Sequence, residues 1–165
     1  MAGKSSFTEQ EWSDLLRAPL MAGLAVSAAS PSGLIGALQE ASALSKILAD
    51  AKKASGGNPI VDGIVADLMT KEGREQAKPS GIFGKGAGEI RTDALDTLRR
   101  AVSAVDRKSP AEASALKGWL SAVAREVAEA SKEGGFLGMG GVQVSEAEAD
   151  TLRDLDAILG TTTKV

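Results

Sequence analysis

Three groups of residues in this chain have the types and spacing that chemistry requires. The first is the loop Gly81-Ile82-Phe83-Gly84-Lys85-Gly86, whose Gly-Lys pair is the kind of element that wraps phosphate. A Walker-type loop also needs Gly five residues before the Gly-Lys glycine and Ser or Thr after the Lys. Those places hold Pro79 and Gly86. No strand is predicted ahead of the loop, so the dinucleotide fingerprint fails as well. Nucleotide binding is therefore not expected. Glycines in such a loop end helices in left-handed geometry and let segments cross closely.

The second group is acidic. Glu146, Asp150 and Asp154 recur every four residues, on one helical face. Glu89, Asp93 and Asp96 form a similar group earlier in the chain. Clustered carboxylates suit Ca²⁺ or Mg²⁺. The Asp-x-Asp-x-Asp-Gly order of an EF-hand loop does not occur, however, and acids near a helix start complement the helix dipole without any ligand. The third group is apolar: Leu34, Ile35, Ile82, Phe83, Phe136, Leu137 and Met139, all in or beside Gly-rich loops. Either they fold inward and plug the core, or they form a tip that contacts a partner or lipid, as a contiguous exposed apolar patch does.

Whole classes of mechanism are excluded by composition. The chain has no His and no Cys. That removes Ser-His-Asp and Cys-His activation, imidazole base catalysis and nearly all zinc sites. The net charge of −3 and the absence of a basic cluster argue against nucleic acid. Lys52-Lys53, Arg99-Arg100 and Arg107-Lys108 read as helix C-terminal charges. Aromatics are 3% of residues and Tyr is absent, so Ala, Leu, Val and Ile must build the core.

The elements that position these groups follow from periodicity. Leu116, Trp119, Leu120, Val123 and Val127 keep a helical spacing, as do Leu95, Leu98, Val102 and Val105, and Ile60, Ile64 and Leu68. Leu152, Leu155, Ile158 and Leu159 do so near the C-terminal end. Thr8 with Glu11, Ser109 with Glu112 and Ser145 with Glu148 have capping-box spacing, and Phe7 can staple onto Trp12. Asn58-Pro59 and Ser109-Pro110 put a capping residue before a Pro suited to the first helical position. Pro19 should kink the first helix or divide it near Ala18.

From Ala18 to Gln39 there is no charge, a length that could span a bilayer. Ser30-Pro31-Ser32-Gly33 interrupts that run and its residues are mostly small. It reads as a buried helix of a soluble protein. Glu9, Glu11 and Asp14 stand where a signal peptide would be positive.

The Gly-rich loops also mark an internal repeat. Gly81, Gly84 and Gly86 match Gly135, Gly138 and Gly140, and Asp96-Thr97-Leu98-Arg99 matches Asp150-Thr151-Leu152-Arg153, all at one offset of 54 residues. A shorter copy centres on Gly33-Leu34-Ile35-Gly36. The prediction is an all-α helical bundle of three repeated helix–Gly-rich loop–helix hairpins. It forms a single domain over 1–165, with units at about 8–54, 58–107 and 109–162 and about six main helices.

One stretch resembles a known family. Val123-Ala124-Arg125-Glu126-Val127-Ala128-Glu129-Ala130-Ser131 through Val144-Ser145-Glu146-Ala147-Glu148 resembles the TerB-like helical proteins of bacteria, associated with tellurite resistance. The likeness covers about a quarter of the chain. Ser131-Lys132-Glu133-Gly134 replaces the family's acidic turn, so no metal site or functional residue is carried over. The resemblance implies an all-α bundle in a bacterial, stress-related protein. The functional expectation is a non-enzymatic cytoplasmic module. It would bind a protein partner, or itself, through the apolar loop end, without cofactor or metal. The alternatives are a divalent-cation-responsive domain using the helix-face carboxylates, and a peripheral membrane protein using the same loops.

Overall fold

The computed structural model describes residues 3–29, 56–79, 81, 84–133 and 146–161. A 3₁₀ turn at Lys4–Ser6 precedes α1 (Glu9–Ala29), α2 (Pro59–Leu68), α3 (Lys71–Ala77), α4 (Ala87–Lys108), α5 (Pro110–Glu133) and α6 (Glu146–Leu159). The described residues are all-α and contain no strand. The second half of the first expected unit, and the pairing of three hairpins that depends on it, lie outside them.

α1 is the axis of the bundle. It touches each of the other five described helices and packs most extensively on α4, then on α5. Trp12, Leu15, Leu16, Ala18, Ala22, Ala25 and Val26 are all buried. Together with buried Ser13, Met21, Leu24, Ser27 and Ala28 they cover every side of the helix, as expected for a helix enclosed by others rather than lying on a surface. The absence of charge from Ala18 to the end of α1 is explained by this position. Among the described residues, no helix is long and apolar enough to cross a membrane. Small residues allow close approach: a Cβ on Gly23 would sit 3.3 Å from Val127 of α5.

Pro19 does not divide α1, which continues to Ala29. Pro19 cannot donate to the Leu15 carbonyl. It is buried, with Ala18 and Met21 buried on either side, and that packing holds the helix together across the missing bond.

The start of α1 has the expected cap. The Thr8 N–H donates to Glu11 Oε2 at 2.8 Å, and the Glu11 N–H donates to Thr8 Oγ1 at 3.2 Å. The rings of Phe7 and Trp12 lie 5.9 Å apart. Asn58 caps α2, its Oδ1 accepting from the N–H groups of Ile60 and Val61 at 3.1 Å each. Its Nδ2 donates to the Glu112 carbonyl, which ties the starts of α2 and α5 together.

Two expectations are corrected. The first half of the second unit is two helices, not one. Thr70 turns the chain: its Oγ1 donates to the Asp67 carbonyl at 2.7 Å and accepts from the Gly73 N–H at 2.9 Å. A Cβ on Gly73 would lie 1.9 Å from the Asp67 carbonyl oxygen, so this corner requires glycine. Ser109 does not form its capping box. Its Oγ is buried and makes no hydrogen bond. Its backbone serves two helices at once, with the N–H donating to the Val105 carbonyl of α4 and the carbonyl accepting from the Glu112 N–H of α5. The Ser145–Glu148 box involves a residue outside those described.

α1 and α4 run antiparallel, as their charge pairs show. Arg107 and Lys108 at the end of α4 reach Glu11 at 3.3 and 2.6 Å, and Arg100 reaches Asp14 at 2.9 Å. α6 is held by Arg91 of α4, which donates to Thr151 Oγ1 at 2.9 Å and pairs with Asp154 at 2.5 Å. On its other side Arg125 of α5 pairs with Asp156 at 2.7 Å. α6 ends at Gly160, with φ of 64°, where the Thr161 N–H bonds back to the Asp156 carbonyl.

Candidate functional site

None of the seven apolar loop residues, Leu34, Ile35, Ile82, Phe83, Phe136, Leu137 and Met139, is among the described residues. Of their surroundings the structure places Gly81 and Gly84, with φ of 75° and 89°, which is the left-handed geometry expected of loop glycines. Lys85 and Gly86 follow, and Glu89 caps α4 by accepting from the Gly86 N–H at 2.9 Å.

Beside this loop the structure opens a cleft of about 280 Å³ between α1 and α4. Arg17, Met21 and Leu24 line it from α1, at a spacing that places them on one helical face. Ile90, Asp93, Thr97 and Arg100 line it from α4 with Asp96, and Pro79 and Lys85 close one end. The Gly-rich loop thus delivers its one lysine to a pocket wall, although it has no phosphate-loop spacing.

The charges of the cleft are all paired, Arg17 the least tightly. Arg100 Nε donates to Asp14 Oδ2 at 2.9 Å, and its Nη2 donates to Asp14 Oδ1 at 3.3 Å and to Thr97 Oγ1 at 3.0 Å. Asp14 itself is buried. The hydrogen bond to Asp14 raises the Arg100 pKa further above its ordinary value. Lys85 pairs with Asp93, and that hydrogen bond raises the lysine above its usual range. Asp96 pairs with Arg99 at 2.6 Å. Arg17 is different. Its Nη1 stands 4.0 Å from Asp14 Oδ1, its Nε is buried without a hydrogen-bond partner, and its side chain is only 26% exposed. A guanidinium carries five donors in a rigid fork. Among the described residues, none of Arg17's donors makes a hydrogen bond.

The carboxylate groups do not converge. Asp150 pairs with Arg153 and Asp154 with Arg91, while Glu89 serves as a cap. Among the described residues, no group of three or more acids could hold a metal ion. The run from Lys71 to Lys78 is exposed at its charged positions, as a solvated helix end should be.

Arg17, Asp14 and Arg100 were missed by sequence reasoning. Arg100 was read as a helix C-terminal charge, but α4 continues to Lys108 and Arg100 turns to a buried acid. A signal was present: Asp14 stands among Trp12, Leu15 and Leu16, inside an apolar run where a lone acid needs a partner.

The chain matches no family model, no curated protein and no solved structure.

Proposed function

We propose that this chain is a non-enzymatic helical binding module whose working site is the anion-accepting cleft at Arg17. One observation carries this reading. Arg17 is three-quarters buried in the cleft wall with a long ion pair of 4.0 Å to Asp14 and no hydrogen bond among the described residues, while the neighbouring charged groups are paired at hydrogen-bond distance. A guanidinium withdrawn from water needs acceptors, and a bound anion supplies them. Binding is favoured over catalysis because Asp14, Asp93 and Asp96 are each held by a cation. No acid among the described lining residues is left as a general base, and the chain has no His or Cys.

The partner-contact role expected of Ile82 and Phe83 fits the same region by sequence, since they separate Gly81 from Gly84 next to Lys85. A stress-related setting, implied by the TerB-like resemblance, and the expected cytoplasmic location belong to the same reading. The test is a thermal-melt screen of the full chain against simple anions. A ligand that binds only the folded state stabilises it by RT ln(1 + L/Kd), where L is its free concentration, so the midpoint climbs with the logarithm of ligand concentration above Kd. The expected result is a concentration-dependent rise with at least one anion that Arg17→Met abolishes. No Arg17-dependent rise with any anion would overturn the reading.

A further inference from the structure

We infer that the N-terminal turn at Lys4–Ser6 is a charge-operated strap over Trp12, with Asp67 as its catch. Asp67 stands near the end of α2, and its Oδ2 accepts from Lys4 Nζ at 2.7 Å and from Trp12 Nε1 at 2.8 Å. One carboxylate oxygen therefore holds both the strap and the ring beneath it. The Lys4 ammonium also lies 6.0 Å from the centre of the Trp12 ring, within reach of its π face. Trp12 in turn is seated on α2, where a Cβ on Gly63 would lie 3.2 Å from Trp12 Cη2.

The two ends of the strap are held by different forces. Phe7 is buried, with its ring 5.9 Å from that of Trp12. That end is fixed by apolar contact, which salt does not screen. The other end has no such anchor. Lys4, Ser5 and Ser6 are all exposed, and the Lys4 side chain is 62% exposed. Its tie to Asp67 is an ion pair open to water, which is weak and yields to salt. Loss or screening of the Lys4 charge therefore frees the turn and bares Trp12, while Phe7 and the helices stay in place. A buried aromatic ring is thus made to answer to the charge on one exposed lysine.

The experiment is acrylamide quenching of Trp12 fluorescence in the full chain carrying W119F, which removes no hydrogen bond because Trp119 Nε1 makes none. In that background K4Q and D67N should each raise the quenching constant at least twofold with the helical circular dichroism unchanged, and K4R should leave it as it was. Sodium chloride at about 1 M, where charges are screened within about 3 Å, should raise the W119F chain to the K4Q level and leave K4Q where it stands. Hydrogen exchange gives the same reading without W119F. The Phe7 N–H donates to the Lys4 carbonyl at 3.2 Å, and its protection should fall at least fivefold in K4Q. Unchanged quenching and unchanged Phe7 protection in K4Q would overturn the inference. Loss of helix in K4Q would also overturn it, because Lys4 would then hold the fold and not a strap. A rise in D67N alone would do the same, since Asp67 would then serve Trp12 and not Lys4.

Discussion

Asp14 is a carboxylate set among Trp12, Leu15 and Leu16, and only hydrogen bonds make that position tolerable. The two members of its pair are not equivalent. Asp14 is buried, whereas Arg100 is 56% exposed. Removing Arg100 strands a buried acid, while removing the acid lets the arginine turn to water. Breaking a fully buried pair costs about 3–5 kcal/mol. Arg100→Ala should cost less, about 2 kcal/mol, because Arg17 stands near and the pair is partly solvated. Asp14→Asn should cost less again. Urea denaturation of the two variants checks the order, and a larger loss in Asp14→Asn would contradict it. Glu11 makes a second prediction, in acid. Hydrogen bonds from Lys108 and Thr8 hold its pKa at about 2, against 4.5 ordinarily. Its folded value lies below its unfolded one. The stability it contributes is therefore present above about pH 4.5 and is lost as pH falls toward about 2. The melting midpoints of the parent chain and Glu11→Gln should differ at pH 6 and converge near pH 2.

At the scale of elements, two glycines in helices should respond in opposite directions to the same change. Gly118 of α5 is exposed, and a Cβ there meets nothing within 4 Å. Gly118→Ala should stabilise by about 0.5–1 kcal/mol through helix propensity. Gly73→Ala should destabilise, because its Cβ would meet the Asp67 carbonyl oxygen at 1.9 Å and the α2–α3 corner must open. Thermal melts of the two variants side by side test this. The contrast also marks what the sequence could reveal. Caps at Thr8 and Asn58 were readable because each forms from residues within four positions of one another. The corner at Thr70 was not, since apart from Gly73 the residues from Lys71 to Ala77 are ordinary helix formers and the clash at Gly73 exists only after folding. Ser109 misled for a related reason. Its spacing to Glu112 is right, but the end of α4 claims its backbone. The cleft was hidden more deeply, because Arg17 and Arg100 lie far apart in sequence and meet through antiparallel packing. The lysine of the Gly-rich loop was visible, but its destination was not.

In the molecule as a whole, α1 is the hub against which the other described helices are assembled. Losing a side chain there should weaken every neighbour together. Leu16 is fully buried, and Leu16→Ala should cost about 2–5 kcal/mol. Trp12 on α1 and Trp119 on α5 report on different helices. Their fluorescence and the helical circular dichroism signal should lose structure at one common midpoint, in the parent chain and in the variant alike. Separate midpoints would mean that α5 and α6 fold as a unit of their own. The all-α class was readable from the periodic Leu, Val and Ile residues. The central place of α1 was readable only in part, through its lack of charge from Ala18 onward, because enclosure from every side depends on helices that come much later in the chain.

That order matters during synthesis. The helix that needs the most company is made well before α4, its largest neighbour, which ends about 80 residues after α1 does. At about 5–20 residues per second, the ribosome leaves the apolar surface of α1 waiting roughly 4–16 s for its main cover. Nascent chains stalled before Ala87 should therefore bind hydrophobic-surface chaperones strongly, and chains stalled well beyond Lys108 should release them. Crosslinking of stalled chains at the two lengths would show the difference.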